Sequence, residues 1–107
     1  MRGKKNMDKL DFVLKILEDK KAVNITVLDV RGKTTLCDYF VIAEGTSITH
    51  INTLSSELVF RAKKSKIKVY AIDGENSEWC VVDFGDVIVH IFSSYLRNKY
   101  KLEEIWQ

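Results

Sequence analysis

The sequence predicts a single-domain α/β fold in which a five-stranded mixed β-sheet carries helices mainly on one face. Three observations lead there. Two long segments repeat their apolar residues at helical spacing, five short segments are rich in β-branched and aromatic residues, and the second helical segment lies between strands that are otherwise joined by turns. The order is α-β-β-α-β-β-β-α. One crossover helix implies a parallel pair and the hairpin-like turns imply antiparallel ones, so the sheet is mixed. A chain of 107 residues with no proline and five glycines leaves room for one compact domain.

Leu10, Val13, Leu14 and Leu17 repeat at i, i+3, i+4 and i+7 behind a capping Asp8, which predicts a helix from Asp8 to Lys20. Residues 1–7, with Arg2, Lys4 and Lys5 but no apolar run, read as a flexible basic tail rather than a signal peptide, and 8–107 as the domain. Ile25–Val30 and Tyr39–Ala43 read as neighbouring strands separated by a turn at Arg31-Gly32. Gly45-Thr46-Ser47 then breaks the strand and caps a central helix whose buried set is Ile51, Leu54, Leu58 and Ala62, ending near Lys64. Val69–Ile72, Trp79–Val82 and Val87–Phe92 read as three more strands, with turns at Asp73-Gly74 and Phe84-Gly85-Asp86. A short helix over Tyr95–Tyr100 leads into a tail with Leu102, Ile105 and Trp106.

The net charge of +2 conceals a division along the chain. Residues 1–68 hold 14 basic and 8 acidic groups, whereas residues 69–96 hold no Lys or Arg against Asp73, Glu75, Glu78, Asp83 and Asp86. Such a stretch repels phosphate, so it suits either a basic protein partner or a solvated rim. The cluster of Arg61, Lys63, Lys64, Lys66 and Lys68 offers candidate RNA contacts at Lys63, Lys64 and Lys66, although lysines set against the dipole at a helix end explain it more simply. No run approaches the ~20 apolar residues of a membrane span. Cys37 and Cys80, without metal-binding or C-x-x-C spacing, fit reduced thiols in a cytoplasmic protein.

Strand alternation sorts the residues near the acidic stretch. Cys80, Val82 and Phe84 share an apolar face suited to the helices, while Trp79, Val81 and Asp83 share the other. The following strand is apolar on both sides, with Val87, Val89 and Ile91 opposite Ile88, His90 and Phe92. Helices on one face would leave the second bare and in need of a partner or a second copy of the chain. An indole beside a carboxylate suits such an interface, the alternative being that Trp79 closes the edge of the core.

Enzymatic readings find little support. Asp83-Phe84-Gly85 spells the kinase metal triplet without any other kinase element. Gly45-Thr46-Ser47 before a helix resembles a nucleotide-binding turn, but the following strand offers Asp73 without the second carboxylate that two-metal chemistry needs. Cys37, His50, Cys80 and His90 lack the paired spacing of a zinc site, and His90 in an apolar strand reads as a hydrogen-bonded structural histidine. The expectation is a protein without metal or cofactor that is not an enzyme.

Several segments together carry a resemblance: Asp29-Val30-Arg31-Gly32, Asp38-Tyr39-Phe40-Val41-Ile42-Ala43 with Gly45-Thr46-Ser47, Asp83-Phe84-Gly85-Asp86-Val87 and Val89-His90-Ile91-Phe92 after Trp79, then Tyr100, Leu102-Glu103 and Trp106. In this order they resemble the ribosomal silencing factor, or Iojap, family. The resemblance implies a nucleotidyltransferase-like topology without catalysis. It also implies a translational repressor that binds the large ribosomal subunit through ribosomal protein L-fourteen and keeps the small subunit away when nutrients are short. The matching positions make Trp79, Val81, Asp83 and Asp86 the expected partner contacts, with Tyr39, Asp38 and His90 supporting the same patch. A homodimeric interaction module and a residual nucleotide binder are the competing expectations.

Overall fold

The computed structural model describes residues 2–106, with side chains from Lys9 to Trp106. The elements in chain order are α1 (Arg2–Asp19), β1 (Val23–Asp29), β2 (Tyr39–Glu44), α2 (Ile48–Lys64), β3 (Ala71–Asp73), β4 (Trp79–Asp83), β5 (Val87–Phe92), α3 (Ser94–Tyr100) and α4 (Leu102–Ile105). The sheet order is β1-β2-β5-β4-β3. Only β2 and β5 run parallel, and the other three pairings are antiparallel, as expected of one crossover among hairpins.

The periodicity fixes one layer well. Ile51, Leu54, Leu58 and Ala62 of α2 are fully buried, and with Val13, Ile16 and Leu17 of α1 they cover Val41, Ala43, Cys80, Val82, Phe84, Val87, Val89 and Ile91 of the sheet. Ser47 caps α2, its hydroxyl accepting from the His50 amide at 3.0 Å, and removing such a cap costs about 1 kcal/mol. Gly45 is required beneath this turn, since a Cβ there would stand 2.6 Å from Ile51 Cγ1.

Several boundaries differ from expectation, among them β3, which begins at Ala71 rather than Val69. The helix α1 begins at Arg2, so Asp8 lies within it rather than capping it; Arg, Lys and Met upstream are good helix formers and no proline stops them. The strand β1 begins at Val23 and carries a register shift before Thr26, with Asn24 in the left-handed region at φ 50°, a conformation asparagine tolerates. The tail after Tyr100 forms α4, because Lys101 at φ 49° turns the chain back across the sheet.

The second sheet face is therefore only partly bare, which corrects the expectation of an uncovered face. Both long helices do lie on one side, yet α3 and α4 fold over the β1-β2-β5 half of the other. Phe40, Ile42 and Phe92 are almost fully buried there, and the Trp106 ring sits 5.2 Å from that of Phe40. Residues this apolar on both faces of a strand need cover on both, and the chain's own end supplies half of it.

Arg97 ties this cover down. It is 8% exposed, and its guanidinium reaches Glu44 at 3.1 Å, Glu103 at 3.1 Å, Thr26 Oγ1 at 2.8 Å and the Asn24 carbonyl. One side chain thus joins α3 and α4 to β1 and β2 through charge-assisted hydrogen bonds.

Candidate functional site

The register places the open residues without ambiguity. On the second face Trp79 stands opposite Phe92, Val81 opposite His90 and Asp83 opposite Ile88. Trp79, Val81, Asp83, Ile88 and His90 are all half-buried, whereas Phe92 beside them is sealed. The uncovered part of the face is a corner bounded by the β4-β3 edge, where Asp73, paired with Val81, adds a second exposed carboxylate.

Trp79 is anchored but not sunk. Its ring lies 4.7 Å from Phe92, 5.1 Å from Tyr100 and 6.1 Å from His90, and its Nε1–H donates to His90 Nδ1 at 3.2 Å. Aromatic contacts of this kind add roughly 0.5–1.5 kcal/mol beyond burial. The rings continue across the face from Tyr100 through Trp79 and His90 to Phe40 and Trp106, with His90 edge-on to Phe40 at 5.4 Å. Burial in this setting pushes the His90 imidazole down to about 4, so it is neutral at neutral pH. That state leaves a ring nitrogen able to accept from the indole.

Behind Trp79 the β3-β4 turn is constrained by Gly74 at φ +80°, where a Cβ would lie 2.0 Å from the Trp79 carbonyl oxygen. Ser77 closes the same turn, its hydroxyl donating to the Gly74 carbonyl and accepting from the Trp79 amide.

The acidic residues separate into different settings. Asp83 Oδ1 accepts from the Gly85 amide at 2.7 Å, which builds the β4-β5 turn and leaves the carboxylate partly open on the second face. Trp79 and Asp83 bracket β4, about 13 Å apart at the usual rise of a strand. The Asp86 carbonyl accepts from the Asp38 and Tyr39 amides, tying the turn to the start of β2. The Asp86 carboxylate, 49% exposed, faces Lys9 of α1 at 3.7 Å. Asp38 is half-buried at the same end of the sheet.

Tyr39 does not join the patch. It is 7% exposed and belongs to the core on the helix side with Val41 and Val87, under the Arg31 guanidinium at 5.2 Å. Alternation explains the correction: Phe40, not Tyr39, shares a face with His90. The basic cluster is likewise elsewhere. Lys63, Lys64 and Lys66 are exposed at the end of α2, in the helical layer on the far side of the sheet, and Lys64 lies over the Phe60 ring at 5.0 Å. Arg61 is held by Asp19 at 3.0 Å and Glu57 at 3.1 Å.

Sequence reasoning missed two contributors. Ile88, which alternation already set on the side of His90 without naming it a contact, extends the apolar corner beside Asp83; Tyr100 backs Trp79 only because α3 folds over the sheet, which no local pattern encodes. Cys37 and Cys80 are buried, and burial pushes the Cys37 thiol up to about 11 and raises Cys80, so both are inert packing groups. Among the described residues no group of three His, Cys, Asp or Glu side chains is placed to hold a metal ion.

Fold and site together define a class: a small α/β domain with two helices packed on one face of its sheet and an aromatic, acid-edged corner left open on the other. The family described as "Ribosomal silencing factor during starvation" matches residues 4–107, and the chain belongs to that family. It is 34% identical over 98 residues to "Ribosomal silencing factor RsfS" of Haemophilus influenzae, covering 91% of this chain and 96% of that one. It is 36% identical over 90 residues to the protein of the same name in Bacillus subtilis, covering 83% and 76%. A crystal structure of a Chromobacterium violaceum protein superposes with a TM-score of 0.90 at 29% identity, covering 94% of this chain and 84% of that one.

Proposed function

We propose that this chain is a non-enzymatic, cytoplasmic repressor of translation. It binds the large ribosomal subunit through ribosomal protein L-fourteen and obstructs joining of the small subunit under nutrient limitation. The observation that carries this reading is the open corner of Trp79, Val81, Ile88 and Asp83 on a sheet whose other apolar surface the chain has already covered. An anchored indole flanked by carboxylates is the composition of a binding hot spot.

The mechanism is occupancy. A standard interface takes about 800 Å² from each partner, roughly one-eighth of the 6477 Å² surface of this domain. The carboxylates of Asp73 and Asp83 steer the face toward a basic protein surface and set its orientation, while the buried rings hold it there. A domain whose sheet and helices stand behind the interface is a rigid obstacle to a second subunit approaching the same surface.

The test is subunit joining. Purified large and small subunits are mixed with and without a molar excess of the protein, and their association is followed by light scattering or gradient sedimentation. The reading expects fewer joined particles with wild type and normal joining with Trp79→Ala. Normal joining in the presence of wild type would overturn it.

A further inference from the structure

The geometry points to His90 as a positioning residue that takes the Trp79 N–H out of play, so that the indole docks as a purely apolar knob into a partner pocket offering no hydrogen-bond acceptor. This rests on the docking reading above and deepens it by assigning the chemistry of the pocket.

An exposed tryptophan at an interface usually offers both an apolar ring and a donor. Here the donor is already spent. His90 sits two residues along β5 from Phe92, the position opposite Trp79, the diagonal arrangement across which long side chains meet, and Nε1–H reaches Nδ1 at 3.2 Å. The imidazole cannot swing away to release it. Phe92 stacks parallel to it within 9° at 6.0 Å, Phe40 closes it edge-on at 5.4 Å, and fully buried Ile42 lies across the strand pair. The same enclosure keeps the ring neutral, so Nδ1 accepts while the proton resides on Nε2. Phe92 and Tyr100 pack on the indole itself. The Trp79 N–H is engaged within the chain, and the ring is held in one orientation before the partner arrives, which lowers the entropic cost of docking.

The consequence is a specific coupling. If the acceptor is removed, the indole N–H becomes a donor without a partner, and burying it in an apolar pocket carries the penalty of an unmade hydrogen bond. If the indole is replaced by a ring without N–H, the acceptor no longer matters.

The experiment is a double-mutant cycle of affinity for isolated large ribosomal subunits, measured by pelleting with labelled protein. His90→Leu is expected to weaken binding about ten-fold, His90→Gln, which keeps an acceptor, to restore most of it, and Trp79→Phe to bind within a few-fold of wild type. In the Trp79→Phe background His90→Leu is expected to have no further effect. An NMR readout accompanies it on the free proteins. The Trp79 indole N–H resonance moves upfield in His90→Leu but not in His90→Gln, with the Trp106 resonance as internal reference.

The outcomes separate the two claims. Binding by Trp79→Ala equal to wild type would sink the docking reading itself. Loss in Trp79→Ala together with wild-type binding by His90→Leu would leave docking intact and overturn the role of His90. An equal His90→Leu penalty in both backgrounds would show a structural effect on the sheet rather than on the indole. Loss in Trp79→Phe as complete as in Trp79→Ala would show that the partner uses the N–H.

Discussion

Replacing Arg97 by Met tests the energetic account of the second face most sharply. The side chain is 9% exposed, and its partners Glu44 and Glu103 are 13% and 28% exposed. Methionine keeps most of the stem and packing, so the substitution removes mainly the charge and its hydrogen bonds. It leaves the Glu44 carboxylate largely buried without its cation, with Thr26 Oγ1 and the Asn24 carbonyl losing a donor as well. Breaking a buried pair on one side costs about 3–5 kcal/mol, and the partial exposure of Glu103 argues for the lower end. A loss of about 3 kcal/mol is a large share of the total stability of a domain this size, and corresponds to a fall in Tm on the order of 15 °C. Urea unfolding of Arg97→Met and wild type supplies the number. Near-ultraviolet circular dichroism reports Trp79 and Trp106, both of which depend on the cover that Arg97 secures. Glu103→Gln, at the wetter end of the network, should cost under about 1 kcal/mol. A loss below about 1 kcal/mol for Arg97→Met would mean that α3 and α4 are held by ring packing alone, and the assignment of Arg97 as the tie would be wrong.

Other expectations follow from the same geometry. The His90 imidazole titrates near 4 in the fold against an ordinary value of 6.5, so the unfolded chain takes up a proton first. Stability is therefore lost as pH falls from about 6.5 to about 4, by about 3 kcal/mol, and this group contributes no further loss below that. Unfolding measured across that window should show this slope in wild type and lack it in His90→Gln. Gly74→Ala forces a side chain into the left-handed region and against the Trp79 carbonyl, which should destabilise the fold by about 2 kcal/mol in urea titrations. Charge reversal of Lys63, Lys64 and Lys66 together should leave the affinity for large subunits within about two-fold, because these residues project from the opposite layer. A larger loss in a pelleting assay would place RNA against that helix end.

What the sequence disclosed, and what it withheld, divides by range. The 3.6-residue spacing of Ile51, Leu54, Leu58 and Ala62 and the capping Ser47 delimit α2 at both ends, since each signal is local and strong. Alternation along Trp79–Asp83 likewise sorts the two faces of β4 as found. The same rule applied along β2 would have placed Tyr39 with Val41 in the core; it was assigned instead from the resemblance, where a shared motif says nothing about facing. The cover over Phe40 was hidden for a different reason. It depends on a left-handed Lys101 and on Arg97 reaching Thr26 and Glu44, contacts far apart in the chain that no periodicity reveals. The Asp83 carboxylate beside Trp79 was visible, but its role in holding the Gly85 amide was not.

The central claim is that the open corner around Trp79 is what meets the ribosome. Its most direct measurement is the pelleting of labelled wild type, Trp79→Ala and Asp83→Lys with isolated large subunits, at protein concentrations where circular dichroism shows all three folded. The account predicts that wild type pellets, that Trp79→Ala loses binding, and that Asp83→Lys is weakened most at low salt. Equal pelleting by the three proteins would contradict it.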